Sequence, residues 1–238
     1  MSFLESVDAP EALDWARTWS EATESGLDNP GLRERIRAAL DIDDRIPFVI
    51  RRGEHLYNFW RDARHVRGVW RRTTLDSYLS AAPDWEVLID VDALAAAEGE
   101  NWVWKGAHVR TPGYDRALVR LSRGGADATV IREFDLVDGV FVDGFQLPEA
   151  KTDVSWLDLD TLLVGTDTGA GSLTASGYPA QVRVWRRGTP LIDAPVYTSG
   201  RLDDVAVGAW ADTTPGHERI VVSRALDFYR TRQSVAPL

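Results

Sequence analysis

The sequence predicts a mainly β fold: a partial β-propeller of about three and a half four-stranded blades, preceded by two short α-helices. Three observations carry this expectation. Short runs rich in β-branched and aromatic residues follow one another, punctuated by glycine turns. The runs fall into groups of four, and the groups reopen roughly every 50 residues, which is the size range of propeller blades. A helical hydrophobic period is confined to the segment before Asp43. A β-sandwich is the competing architecture for such strand spacing.

In the opening segment, residues 1–42, Asp8 with Glu11 three residues later forms a capping box. Trp15, Trp19 and Ala22 then recur at helical spacing until Gly26 offers a stop. Asn29 and Pro30 open a second helix, because Asn caps well and Pro suits a first turn. Leu32, Ile36 and Leu40 share one face of it, with Arg33, Arg35 and Arg37 turned elsewhere. Both helices are amphipathic and need something to pack on.

Residues 43–238 carry the strand pattern, with blades expected near 43–98, 99–150, 151–202 and 203–238. The first group is IPFVIR, LYNFWRD, GVWRRT and EVLIDV, with turns at Arg52-Gly53 and Arg67-Gly68. The second is NWVWKGAHV, RALVRLSR, ATVIREFDL and FVDGFQL, with turns at Pro112-Gly113, Gly124-Gly125 and Asp138-Gly139. DVSWLDLD, TLLVGTD, VRVWRR and PVYTSG form the third. DDVAVGAW and RIVVSRALDFY begin a fourth, which the weakly β-prone tail RTRQSVAPL is expected to interrupt at about its second strand. Closed propellers usually need four to eight blades, so the pattern reads as part of a larger architecture.

Composition narrows the chemistry. With 238 residues and 44% hydrophobic residues the chain can build a sizeable core, and with no cysteine it has no disulfide, thiolate metal site or cysteine nucleophile. A net charge of -10 opposes phosphate backbones and anionic lipid, so neither nucleic acid nor membrane is an expected partner. The start has neither a basic nor an apolar signal region, and no apolar run approaches a membrane span, which makes a cytoplasmic location the default. Arg45, Arg51, Arg52, Arg61, Arg64, Arg67, Arg71 and Arg72 crowd one stretch among Phe59, Trp60 and Trp70. Single-strand binders share that composition, but outward-facing arginines on exposed strands are the expectation here.

Reactive constellations are scarce. Gly169, Gly171, Ser172, Ser176 and Gly177 place serines beside glycines, never in the Gly-x-Ser-x-Gly order of a nucleophile elbow, and no helix follows. His55, His65, His108 and His217 are too scattered for a metal pair or a base partnered with Ser172. No metal or cofactor is expected. Asp158 with Asp160, the group Asp41, Asp43 and Asp44, and Asp203 with Asp204 offer the paired carboxylates of a glycosidase, with Trp102, Trp104 and Trp156 as sugar platforms. Each acidic group sits at a turn or strand start, where Asp is favoured for local hydrogen bonding. The long small-residue loop ending at Tyr178-Pro179 is the one segment suited to lining a substrate passage, through Gly169, Gly171, Ser172, Ser176 and Tyr178.

Several long segments resemble one family. YNFWRD, VLIDVDALAAAEGENWVWKG, RLSRGGADATVIREFDL and VSWLDLDTLLVGTDTGAGSLTASGYP are similar to the amino-terminal half of bacterial prolyl oligopeptidase family proteins. FLESVDAPEALDW resembles the family's amino-terminal helix, with Phe3 where Trp is usual, and the likeness runs from about Phe3 to about Tyr229. The resemblance implies a seven-bladed propeller that restricts short peptides to a serine hydrolase domain, with the two helices lying against that domain. This chain would then be inactive alone and partnered by the hydrolase domain, by a complementary propeller half, or by a second copy as a homodimer. A stand-alone propeller-type binding or scaffold module, completed by self-association, is the alternative.

Overall fold

A computed structural model describes residues 2–5, 9–27, 29–42 and 44–238, which form two compact units, Met1–Arg45 and Ile46–Leu238. In the first unit a 3-10 turn, Ser2–Glu5, is followed by α1, Pro10–Leu27, and α2, Pro30–Leu40. The Asn29 side chain accepts from the Leu32 N–H at 3.0 Å and Pro30 begins the helix, a cap that contributes about 1 kcal/mol. Asp8 of the proposed capping box lies outside the described residues. Gly26 does not end α1, which continues to Leu27.

The second unit is built of four antiparallel sheets in which each strand pairs with the next in sequence. The first contains β1, Ile50–Arg52, β2, His55–Trp60, β3, Val69–Thr74, and β4, Glu86–Asp90. The second contains β5, Trp102–Val109, β6, Arg116–Arg123, β7, Thr129–Asp135, and β8, Val140–Ala150. β9, Asp153–Trp156, β10, Thr161–Gly165, β11, Gln181–Arg186, and β12, Val196–Ser199, form the third. β13, Ala206–Asp212, β14, Arg219–Ala225, and β15, Thr231–Pro237, form the fourth. Short helices α3, Leu75–Tyr78, and α4, Val91–Glu98, flank β4.

The core explains why the middle strands read as unbroken apolar runs. Successive side chains of a strand point to opposite faces, and each inner blade packs on two neighbours. Ala117, Val119 and Leu121 of β6 enter a cluster with Tyr57, Trp70 and Ile89 of the first blade. Leu118, between them in sequence, enters a second cluster with Trp156, Leu162 and Trp185 of the third blade. Leu162 and Val164 face the second blade, whereas Leu163 joins Val182, Val207 and Ile220 toward the fourth. Truncating any of these fully buried leucines costs about 2–5 kcal/mol.

Polar contacts then fix neighbouring blades. Glu133, fully buried, takes a bidentate ion pair from Arg187 at 2.8 and 3.0 Å and the Phe145 N–H at 2.8 Å. Trp156 donates to the His108 carbonyl at 2.9 Å. The first strands of the third and fourth blades come closest: a Cβ at Gly208 of β13 would stand 2.5 Å from the Asp153 carboxylate of β9. First strands therefore converge on the axis side, as radial sheets must.

Four expectations change. IPFVIR forms a strand only over its last residues, because Pro47 has no N–H and side chains take the carbonyls: Asn58 donates to Phe48 O at 2.8 Å and Tyr78 to Pro47 O at 3.1 Å. The segment after EVLIDV is a helix, α4, capped by Asp90 at the Ala93 N–H and ended by Gly99 at φ 67. The tail does not interrupt the fourth blade; Thr231–Pro237 pairs in register with β14 from Arg219 to Ala225. The arginines are not simply outward-facing. Arg71 lies between the Trp60 and Trp85 rings, at 4.7 and 4.2 Å, and desolvation lowers its pKa to about 10. Arg72 holds Glu86 bidentately and reaches Leu136 O of the next blade at 2.8 Å.

Candidate functional site

The predicted passage loop spans 166–180, between β10 and β11, and is held by its own polar atoms. Ser172 is buried. Its hydroxyl accepts from the Thr168 N–H at 2.9 Å and donates to the Gly169 carbonyl at 2.6 Å. It is a staple inside the loop, its proton directed to Gly169 O with Asp167 Oδ1 also within 3.3 Å. Gly169 and Gly171 adopt φ of 102 and 79, the left-handed region that the tight turn requires. A small hairpin follows, in which Thr174 N–H donates to Tyr178 O at 2.8 Å and Leu173 bridges Pro179. Thr174 Oγ1 donates to Val205 O at 2.9 Å and Ala175 N–H to Leu202 O at 2.9 Å, which ties the loop to the connection entering the fourth blade.

That anchoring presents Tyr178 to a cavity of about 230 Å³ where the second, third and fourth blades meet. Arg120, Lys151, Asp153, Tyr178 and Val207 line it. Lys151 Nζ sits 4.3 Å from the Tyr178 ring centre, 3.4 Å from the Ser176 carbonyl and 3.9 Å from Asp127. Arg120 donates to Thr152 O at 3.0 Å. Of the five predicted loop residues, then, Tyr178 lines the cavity, Ser176 reaches its rim through a carbonyl, and Gly169, Gly171 and Ser172 shape the loop.

Electrostatics at this end of the blades are unusual. Asp153 and His108 both keep open surface, with packed neighbours on their inner sides. Desolvation pushes the Asp153 carboxyl above its ordinary value, against the pull of Arg120. Desolvation likewise holds the His108 imidazole below its ordinary value, with Asp153 opposing and Arg52 assisting. Arg120, Lys151 and Asp153 were not singled out from the sequence, and His108 was weighed there only as one of four scattered histidines. One signal was available: Arg120 interrupts the apolar run of β6 at a position that strand alternation sends toward the third blade, beside Leu118.

At the opposite strand ends, the β5–β6 hairpin, 110–115, reaches both ways. Arg110 pairs with Asp115 across its base at 2.6 Å. The Tyr114 ring packs where a side chain at Gly53 of the first blade would stand, and the Thr111 and Thr213 hydroxyls meet at 3.0 Å, joining the second and fourth blades.

Other candidates are locally engaged. His65 meets Asp62 at 3.0 Å, while His55 opens β2 and His217 lies in a turn. Asp158 accepts from the Asp160 N–H, Asp160 pairs with Arg187, Asp203 with Arg201 and Asp204 with Arg224. Asp41 lies 3.6 Å from Arg37, and Asp43 is outside the described residues. Trp102 and Trp156 are buried in the core rather than offered as platforms.

Residues 2–217 match the profile of the prolyl oligopeptidase N-terminal β-propeller domain. An uncharacterized peptidase of Sinorhizobium fredii is 38% identical across 99% of this chain, which covers 34% of that protein. A second uncharacterized peptidase, from Rickettsia prowazekii, is 35% identical over 78% of this chain and 28% of its own length. The structure of a post-proline cleaving enzyme from Rickettsia typhi superposes with a TM-score of 0.89 at 30% identity, over 98% of this chain and 36% of that one. Oligopeptidase B from Leishmania major, at 15% identity and a TM-score of 0.69, shares the fold. This chain spans about a third of the length of the relatives it matches.

Proposed function

This chain belongs to the prolyl oligopeptidase family, as its amino-terminal propeller portion, and from that premise we propose that it gates the access of short peptides to a serine hydrolase domain that its own residues do not contain. The observation that carries the reading is the likeness, at 30% identity and along nearly all of this chain, to about a third of a post-proline cleaving enzyme. Two features of the blades support it. The polar cavity at Tyr178 opens among three blades, and the 110–115 hairpin joins blades at the other end, so passage is confined by anchored loops.

In this account the chain supplies shape and charge, and the nucleophile comes from elsewhere. Ser172 is committed to loop hydrogen bonds and is not set up as an activated nucleophile. Hydrolysis is expected only when the chain is joined to the catalytic two thirds of the Rickettsia typhi enzyme in place of that enzyme's matching segment. A fluorophosphonate probe should label that chimera at its hydrolase serine and leave the 238-residue chain unlabelled. Labelling of Ser172 would end the reading.

A further inference from the structure

The first strands of the blades lie toward the axis, so the turns that follow them gather at one end of it: Gly53 after β1, 110–115 after β5, 157–160 after β9 and 213–218 after β13. The third-blade turn stays short, because the Leu157 N–H donates to Thr161 O at 3.0 Å and Asp158 accepts from the Asp160 N–H at 2.7 Å. The hairpin of the second blade passes it and reaches the fourth, where Thr111 Oγ1 and Thr213 Oγ1 stand 3.0 Å apart. In the other direction its Tyr114 ring lies on the first blade, since a Cβ at Gly53 would stand 3.0 Å from Tyr114 Cδ2. One hairpin thus spans from the first blade to the fourth across the axis end.

The base and the tip of this hairpin are held differently. At the base Arg110 pairs with Asp115 at 2.6 Å, the Arg110 N–H donates to Arg116 O at 2.8 Å, and the Leu136 N–H donates to Asp115 O at 2.9 Å. The Arg110 guanidinium also fills the space beside Gly113, leaving no room there for a Cβ. At the tip a single neutral hydroxyl pair makes the link to the fourth blade, a bond that water can replace and that favours closure only about fivefold. Among the described residues Tyr114 alone of the non-glycine residues has a positive φ, 52, a conformation that persists only where the surroundings hold it. Those surroundings are its N–H bond to Arg110 O at 2.8 Å and its seat on Gly53.

We propose that the 110–115 hairpin is a size-determining strap: closed onto Gly53 and Thr213 it admits only slender peptides at the axis end of the blades, and swung at its tip it admits longer ones. The proposal rests on the peptide-gating reading and deepens it, by naming the element that sets the limit at this end. A rigid base and a weak latch are what such a swing requires.

The test uses the chimera with the Rickettsia typhi catalytic portion and the pair T111C/T213C, a clean lock because this chain has no cysteine of its own. The two thiols should oxidise to one intramolecular disulfide in the 238-residue chain and in the chimera alike, since the hydroxyl oxygens they replace are 3.0 Å apart. Hydrolysis of a six-residue and a twenty-residue proline-containing peptide is then followed with the bond formed and after its reduction, beside a parent chimera treated identically. Locking removes the open state, so kcat/KM for the longer peptide should fall by at least about fivefold while that for the shorter one holds, and reduction should restore it. Tyr114→Gly, which suits φ 52 and takes the ring off its seat, should raise the longer peptide's kcat/KM by about fivefold. A hairpin that only cements the blades would move the thermal midpoint and not this ratio. Failure of the disulfide to form, an equal loss for both peptides, or a ratio that oxidation does not move would each overturn the strap. A parent chimera without hydrolysis or without size preference would overturn the gating reading along with it, so the parent tells the two failures apart.

Discussion

Asp153 and His108 are each driven toward the neutral form, and the two shifts have opposite consequences with pH. Asp153 is raised above 3.8, so its contribution to stability is full below the unfolded value and fades as pH rises through the folded one. His108 is lowered below 6.5, so its contribution is present above that value and is lost as pH falls through the folded one. On acidification the histidine loses stability as pH falls below 6.5, while the aspartate gains it as pH falls toward 3.8. His108→Asn should therefore reduce the loss of urea resistance as pH falls below 6.5, and Asp153→Asn should reduce the loss as pH rises above 3.8. Neither residue was legible in the sequence as a pair, because His108 and Asp153 lie on different blades and only the convergence of β5, β9 and β13 brings them together. Tyr178 was legible, as the aromatic exit of a glycine-rich loop, and Ser172 was legible as a loop residue without a nucleophile's surroundings. The hydrogen bonds that make Ser172 a staple depend on backbone turns that no spacing encodes.

At the scale of elements, alternation and glycine punctuation were sufficient for most strands, and the failures have specific causes. β1 is short because the carbonyls just before it, of Pro47 and Phe48, are taken by Tyr78 and Asn58, long-range partners invisible to a local pattern. β15 was missed because its side chains are mostly exposed and polar, so its register with β14 is held by the backbone ladder instead of a hydrophobic signal. α4 was readable in hindsight from Asp90 and Gly99, a cap at each end. The passage loop behaves as an element in its own right, through Thr174. Thr174→Val should free it from Val205 O at a cost of about 1 kcal/mol, and limited proteolysis should then cut within 169–177 faster than in the parent chain. Unchanged cleavage there would mean that the Ala175 to Leu202 bond anchors the loop alone.

At the scale of the molecule, apolar surface remains at several places. Trp19, Leu27, Leu32 and Leu40 on α1 and α2 are 60%, 75%, 49% and 66% exposed, and Phe228 and Tyr229 between β14 and β15 are 89% and 90% exposed. Surfaces of that kind in one chain favour association. Sedimentation should show the chain self-associating at micromolar concentration, and binding of a hydrophobic dye should fall when it is joined to the hydrolase portion of a relative. A dispersed monomer without dye binding would remove the need for a partner surface. The central claim, that these blades select peptides by size, is tested most directly in the chimera with the Rickettsia typhi catalytic portion. The measurement is the ratio of kcat/KM for a six-residue and a sixty-residue proline-containing peptide, with loop 166–180 intact and shortened. The account predicts strong preference for the short peptide with the loop intact and a ratio falling by about tenfold when the loop is cut back. An unchanged ratio would contradict it.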